Sequence, residues 1–148
     1  MSNLNSQFDI LAGEPPSGRS AMEGSFPPKS PPTITLSEGV IVAVEDDGTG
    51  NPVVDAATSS AADAVPDYLW LVTRGSDSWD SSFADKISCL ALHTGLVFKV
   101  DTSGSFAVGD LVYANAGVIT KLTAGADKQA IGQVIESNAT AGYIVVAT

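Results

Sequence analysis

Short apolar runs, separated by small polar and turn-forming residues, make up most of the chain from residue 33 onward. Runs rich in β-branched and aromatic residues and bounded by Gly, Asn, Asp or Pro are typical of β-strands. The most apolar of these runs, residues 68–73, is expected to be a central strand. The predicted strands are 33–36, 40–45, a short return from 53, 68–73, 87–92, 96–100, 111–114, 118–122, 130–136 and 142–147.

The segments between these runs carry the residues that turns require. Residues 46–52 combine Asp, Gly, Asn and Pro, and 115–117 predict a three-residue hairpin loop with a positive φ at Gly117. The Ala-rich residues 55–65 fit either a short helix or a loop, and 74–86 fit a long loop. Short strands with regular turns predict an all-β fold, either a small antiparallel barrel or a sandwich.

The first 32 residues have a different composition, with six of the eight prolines, arranged as three Pro-Pro pairs. Such pairs favour extended backbone, and the few large apolar side chains here cannot offset the entropy of ordering. We therefore predict an extended, irregular N-terminal arm, residues 1–32, attached to a β-domain, residues 33–148. A plain flexible tail and a partner-binding arm fit this segment equally well. The candidate anchors for a partner are Phe8, Ile10, Leu11 and Phe26.

Composition excludes several classes of function. The net charge of −10 repels phosphate, so we expect no nucleic-acid binding by charge. No apolar run approaches the roughly 18 residues of a membrane span, and the N-terminal pattern is not that of a secretory signal. We therefore expect no membrane association and synthesis in a cytoplasm. The single cysteine, Cys89, lies in an apolar run and is predicted to be buried rather than nucleophilic.

Few residues suggest chemistry. His93 is the only histidine, and no Ser–His–Asp set can be assigned around it. Asp77, Asp80 and Asp85 lack EF-hand spacing and indicate a solvated loop, and cysteine and histidine are too few for a zinc site. We therefore predict no enzymatic activity, no cofactor and no metal. Trp79 lies in the same polar loop and is a further candidate contact residue, because exposed Trp is favoured at interfaces.

Residues 106–147 resemble the C-terminal part of small capsid decoration (cement) proteins of tailed bacteriophages. The resemblance rests on a Gly-Asp-x-Val-Tyr strand at 109–113, a glycine hairpin, an Ile-Gly-x-Val strand at 131–134 and a final valine-rich strand at 142–147. It covers about 40 of the 148 residues. No residue of a binding site is carried over, because the shared motif is a signature of the fold.

The resemblance implies a structural protein without enzymatic activity. Such a protein sits on the outer capsid surface of the virion, where it bridges major capsid protein subunits and stabilises the head. It also implies a homo-oligomer, a trimer more often than a dimer, made in the host cytoplasm. The alternative is a glycan- or receptor-binding phage appendage, such as a head fibre or tail module, which would use an exposed Trp79.

Overall fold

The structure, a computed structural model, describes residues 7–13, 23–59, 69–74 and 86–148. All the regular structure in these residues is β-strand, which confirms the predicted all-β class. The strands are β1 (Asp9–Ala12), β2 (Glu23–Phe26), β3 (Ile41–Asp46), β4 (Pro52–Ala56), β5 (Leu69–Arg74), β6 (Ile87–Ala91), β7 (Val97–Asp101), β8 (Leu111–Asn115), β9 (Val118–Lys121), β10 (Gly132–Asn138) and β11 (Tyr143–Ala147).

The strands form two antiparallel sheets packed as a sandwich. The six-stranded sheet has the order β1-β7-β11-β10-β8-β9, and the five-stranded sheet has the order β2-β6-β5-β3-β4. Neither sheet closes into a barrel, so the structure selects the sandwich of the two predicted architectures. Strand β5 is the third of five, which confirms that the most apolar run is central.

The main core lies between the two sheets. The six-stranded sheet contributes one face of its strands, with Phe98, Val134 and Ile144 fully buried. The five-stranded sheet contributes Ile41 and Leu71, which are opposite each other in the β3–β5 register. Burial of these side chains is the main source of stability, because each contributes about 1.5–3 kcal/mol of transfer free energy.

A second core covers the other face of the five-stranded sheet. Leu71 points into the main core whereas the next residue, Val72, is buried in the second core. This double burial explains why the central strands are continuously apolar instead of alternating. The buried side chains of the second core are Leu36, Val42, Val54, Val72, Ile87 and Cys89. The prediction that Cys89 is buried is therefore confirmed.

Parts of the predicted arm belong to the sheets. Strand β1 pairs with β7, and β2 pairs with β6, so the expectation of an irregular segment is wrong for 9–12 and 23–26. The chain after β2 then reaches β4, where Val54 donates its N–H to Pro27 O (3.0 Å) and accepts from Lys29 N (2.9 Å). One continuous stretch, 23–29, therefore forms one edge of the five-stranded sheet and covers the other.

Two local predictions are corrected. Residues 33–36 form no strand, because the chain there crosses the second core instead of pairing, and Leu36 is fully buried in that core. The loop between β8 and β9 has two residues, since Asn115 pairs directly with Val118. Ala116 (φ 47°) and Gly117 (φ 85°) both adopt left-handed backbone, as a two-residue hairpin turn of type I′ requires.

Candidate interaction surface

Two of the predicted anchors are used within the chain. Phe8 and Ile10 are half-buried and pack against the main core. Strand β1 is held at the edge of the six-stranded sheet by its pairing with β7 and by the side chain of Gln7, whose Nε2 donates to Ala141 O at 2.5 Å. Leu11 is exposed, so of these residues it has the most free surface for a partner.

Phe26 also packs inside the molecule. Its ring lies 5.3 Å from that of Trp70, with an interplanar angle of 73°. Such edge-to-face pairs contribute about 0.5–1.5 kcal/mol beyond their buried area. Phe26 therefore closes one side of the second core. Trp79, together with residues 75–85 of the predicted acidic loop, lies outside the described residues.

A buried carboxylate fixes the segment that follows. Asp55 accepts hydrogen bonds from Thr33 N (2.8 Å) and Thr33 Oγ1 (2.5 Å), and Lys29 Nζ lies 3.7 Å away and 3.2 Å from Glu45. Burial alone would raise the pKa of Asp55, but the hydrogen bonds from Thr33 and Ala56 and the charge of Lys29 outweigh it and lower that pKa. We call Lys29, Thr33, Glu45 and Asp55 the Asp55 cluster.

The exposed apolar side chains concentrate in the six-stranded sheet and its turns. Of the six exposed large apolar residues in the described part of the chain, four lie between 106 and 147. Val108 is 69% exposed and Ile135 is 48% exposed, and the exposed fractions of Leu111 and Val118 are close to that of Ile135. Exposed apolar side chains that form a contiguous patch mark interaction sites more often than single exposed residues do. We call Val108, Leu111 and Ile135 the apolar patch.

Backbone hydrogen bonds hold the apolar patch together. Gly109 donates its N–H to Val134 O (2.8 Å), and Val134 donates to Asp110 O (2.8 Å). Leu111 is opposite Gln133 in the register of β8 and β10, and the register shifts between Val134 and Glu136. This β-bulge leaves Ile135 without a partner in the ladder and turns it towards solvent.

The turn that carries Val108 is rigid. Asp110 Oδ2 accepts from Ala107 N at 2.8 Å and from Lys121 Nζ at 3.1 Å. The hydrogen bond from Ala107 and the contact with Lys121 lower the pKa of Asp110. Gly109 has a φ of 96°, which a residue with a side chain rarely adopts. The Gly-Asp pair of the sequence motif therefore holds Val108 in a fixed, exposed position.

A pocket of about 420 Å³ lies between the β6–β7 turn and the start of β10. His93 and Gln133 contribute to its lining, together with apolar side chains such as Leu92 and Ile131. His93 Nδ1 lies 3.1 Å from Thr94 O, and its Nε2 is buried without a hydrogen-bond partner. The hydroxyl of Thr148, which also lines the pocket, donates to the carbonyl oxygens of His93 and Leu96.

Within residues 7–13, 23–59, 69–74 and 86–148, no group of His, Cys, Asp and Glu side chains could hold a metal ion. The same ranges contain no helix with the length and apolar character needed to cross a bilayer.

The apolar patch escaped the sequence prediction, although the sequence contains a signal for it. Val134 and Ile135 are consecutive apolar residues in a strand that is otherwise polar, and such a pair indicates a bulge or an apolar outer face because neighbouring residues point to opposite faces. Val108 lies in a turn, where exposed apolar side chains have no structural role. Apolar residues at positions where no core is expected are therefore the sequence signal for the apolar patch.

Comparison with known proteins identifies no relative: no protein-family model matches the chain, and neither a curated protein nor a solved structure shows significant similarity to it.

Proposed function

We propose that this protein is a non-enzymatic structural protein of a tailed-phage particle. It binds the outer surface of the capsid and bridges major capsid protein subunits, and so stabilises the head. The proposal begins from the resemblance of residues 106–147 to capsid decoration proteins. We also propose that the protein forms a homo-oligomer, a trimer rather than a dimer, and that it lies on the outer capsid surface of the virion.

The observation that carries the proposal is the apolar patch. It lies in the resembling stretch, and its three side chains are exposed on strands and a turn that hydrogen bonds make rigid. Rigid apolar groups lose little conformational entropy on binding, which favours protein–protein contact over catalysis. The net charge of −10 also suits an outer surface better than a surface facing DNA.

The arm has a smaller role in this proposal than the sequence suggested. Phe8, Ile10 and Phe26 pack on the chain's own sheets, so each offers only part of its surface to a capsid subunit. Leu11 and Trp79 remain proposed contacts. We therefore assign the principal capsid contact to the apolar patch and a supporting contact to the arm.

The test is sedimentation of the purified protein with undecorated phage heads. We expect the wild-type protein to pellet with the heads at a fixed stoichiometry. Val108→Glu and Ile135→Glu place a charge in the apolar patch and should weaken head binding by about tenfold or more, as loss of a central interface residue does. Both residues are exposed, so the variants should unfold at nearly the wild-type urea concentration.

The matched control is Val44→Glu. Val44 is 42% exposed, but it lies on β3 of the other sheet, and its substitution changes charge and volume as Val108→Glu does. This variant should bind heads as the wild-type protein does. If the wild-type protein pellets with no phage head, the proposed function is wrong. If all three variants bind heads equally well, the apolar patch is not the contact.

A further inference from the structure

Strand β9 forms an open edge of the six-stranded sheet. It is the last strand in the sheet order and pairs with β8 alone. Its register aligns Asn115 with Val118 and Tyr113 with Thr120. No described residue hydrogen-bonds to the far side of the strand between residues 119 and 121. An edge of this kind is a template for another strand.

The direction of the free backbone groups follows from the register. Leu122 donates its N–H to Leu111 O at 2.8 Å, so the backbone N–H and C=O groups of Leu122 point towards β8. Successive residues of a strand point their N–H and C=O groups to opposite sides, so residues two apart point them to the same side. The backbone groups of Thr120 therefore also point towards β8. Ile119 and Lys121 therefore present two N–H and two C=O groups at the open edge.

Of the other three edge strands, β4 and β1 carry features that prevent pairing. The edge of β4 is covered by residues 27–29, through two hydrogen bonds to Val54. Strand β4 also starts at Pro52, which has no N–H to donate. Strand β1 is bulged between Ile10 and Ala12, which twists an edge away from a partner. Strand β9 has neither a proline nor a bulge.

We propose that two copies of this chain pair through β9, antiparallel across a twofold axis that passes beside Thr120. In this register Ile119 of each copy is opposite Lys121 of the other, and the four outward N–H groups meet the four outward C=O groups. The contact joins two six-stranded sheets into one. This twofold contact is separate from the contact that builds the proposed trimer, so it goes beyond the proposed function and does not depend on it.

A second copy fits this edge in its side chains. On the outer face the register places Thr120 opposite Thr120 and the exposed Val118 opposite Leu122, and both are favourable cross-strand pairs. Lys121 Nζ is already paired with Asp110 at 3.1 Å, so two like ammonium groups do not repel each other strongly. The strand itself contains no acidic residue, although the whole chain carries a charge of −10.

The small contact area makes the pairing weak. Only two residues of each copy exchange backbone hydrogen bonds, because Gly117, next along the chain, is already bonded to Ile41 and Ala57. An interface well below about 1,000 Å² belongs to the class of transient contacts. Repulsion between the two acidic copies should weaken it further at low ionic strength, so added salt should strengthen the association.

The test uses charge exchange at Thr120, followed by analytical ultracentrifugation of the full chain. Thr120→Glu and Thr120→Lys each place two like charges face to face, so either variant alone should associate about tenfold less than wild type. An equimolar mixture of the two should recover the association. Thr120→Val, which removes the hydroxyl bond to Val118 O without adding charge, should associate as wild type does.

A second test is crosslinking of Thr120→Cys. Opposite residues of a non-hydrogen-bonded antiparallel pair have Cα atoms about 4.5 Å apart, within the range that a disulfide spans. Mild oxidation should therefore give a covalent dimer at least about tenfold faster than in Ser103→Cys, a cysteine at an exposed turn position. Wild type should give none, since Cys89 is buried.

Each result decides the proposal. Recovery in the Glu–Lys mixture together with rapid crosslinking at position 120 supports it. If the mixture associates no better than either variant alone, or if Thr120→Cys crosslinks no faster than Ser103→Cys, the β9 pairing is wrong. Head binding by a chain that fails these tests would leave the proposed function intact, so the two failures are distinguishable.

Discussion

At the residue scale, Asp55 connects the N-terminal segment to the five-stranded sheet. Its carboxylate is 2% exposed and accepts two hydrogen bonds from Thr33 while Lys29 lies near it. A buried carboxylate is stable only when such donors replace its water. The Asp55 cluster therefore stabilises the crossing of residues 29–36 over the second core.

We expect Asp55→Asn to lower the free energy of unfolding by about 2 kcal/mol, because it weakens charge-assisted hydrogen bonds to a buried group. Urea denaturation at neutral pH measures the change. Asp47→Asn is the control, since Asp47 is an exposed turn residue bonded to Thr49 and Asn51. A loss no larger than that of the control would show that Asp55 does not hold the segment.

The same residue gives a pH dependence with a defined sign. The folded-state pKa of Asp55 is lowered below its unfolded value of about 3.9, so its contribution is complete above that value and is lost as pH falls through the folded pKa. The stability difference between wild type and Asp55→Asn should therefore shrink below about pH 4. Asp47, whose pKa is lowered to about 2, titrates in both proteins and cancels in the difference.

At the element scale, the segment 23–36 behaves as a cover for the second core. Phe26, Ile34 and Leu36 pack on the face of the five-stranded sheet that is turned away from the six-stranded sheet. Strand β2 alone has four residues, which is too few to be stable without this packing. The cover and the sheet therefore form together.

Phe26→Ala should destabilise the protein by about 2–3 kcal/mol, since it removes the contact with Trp70 and opens the second core. Thermal unfolding measures the effect. Leu11→Ala is the matched control, because Leu11 is an exposed residue of the other N-terminal strand, β1, and its truncation should change stability by less than about 0.5 kcal/mol. Equal effects of the two changes would mean that β2 does not cover a core.

At the scale of the whole molecule, the two cores share strands. Neighbouring residues such as Leu71 and Val72 are buried on opposite faces of β5, so loosening one face moves the other. The protein should consequently unfold as one cooperative unit. Cys89 is a natural probe of the second core, where burial raises the pKa of its thiol to about 12.

We expect the Cys89 thiol to be unreactive towards a soluble disulfide reagent at pH 8 and to become reactive in urea. Its labelling midpoint should coincide with the loss of circular dichroism, which reports both sheets. In Asp55→Asn and Phe26→Ala the midpoint should shift to lower urea in proportion to the lost stability. Labelling well before the loss of secondary structure would show instead that the second core opens on its own.

Much of the local structure follows from local patterns in the sequence. Alternating and continuously apolar runs predict the strands from β3 to β11, because backbone preference and side-chain burial act within a few residues. The positions of strands β1 and β2 depend instead on long-range pairing, since their few apolar side chains are stabilising only beside β7 and β6. The packing of distant segments also decided that the two sheets form a sandwich, that Phe26 packs against Trp70 and that Val108, Leu111 and Ile135 are exposed on hydrogen-bonded segments of one sheet. These outcomes depend on contacts between distant residues, which no local pattern specifies.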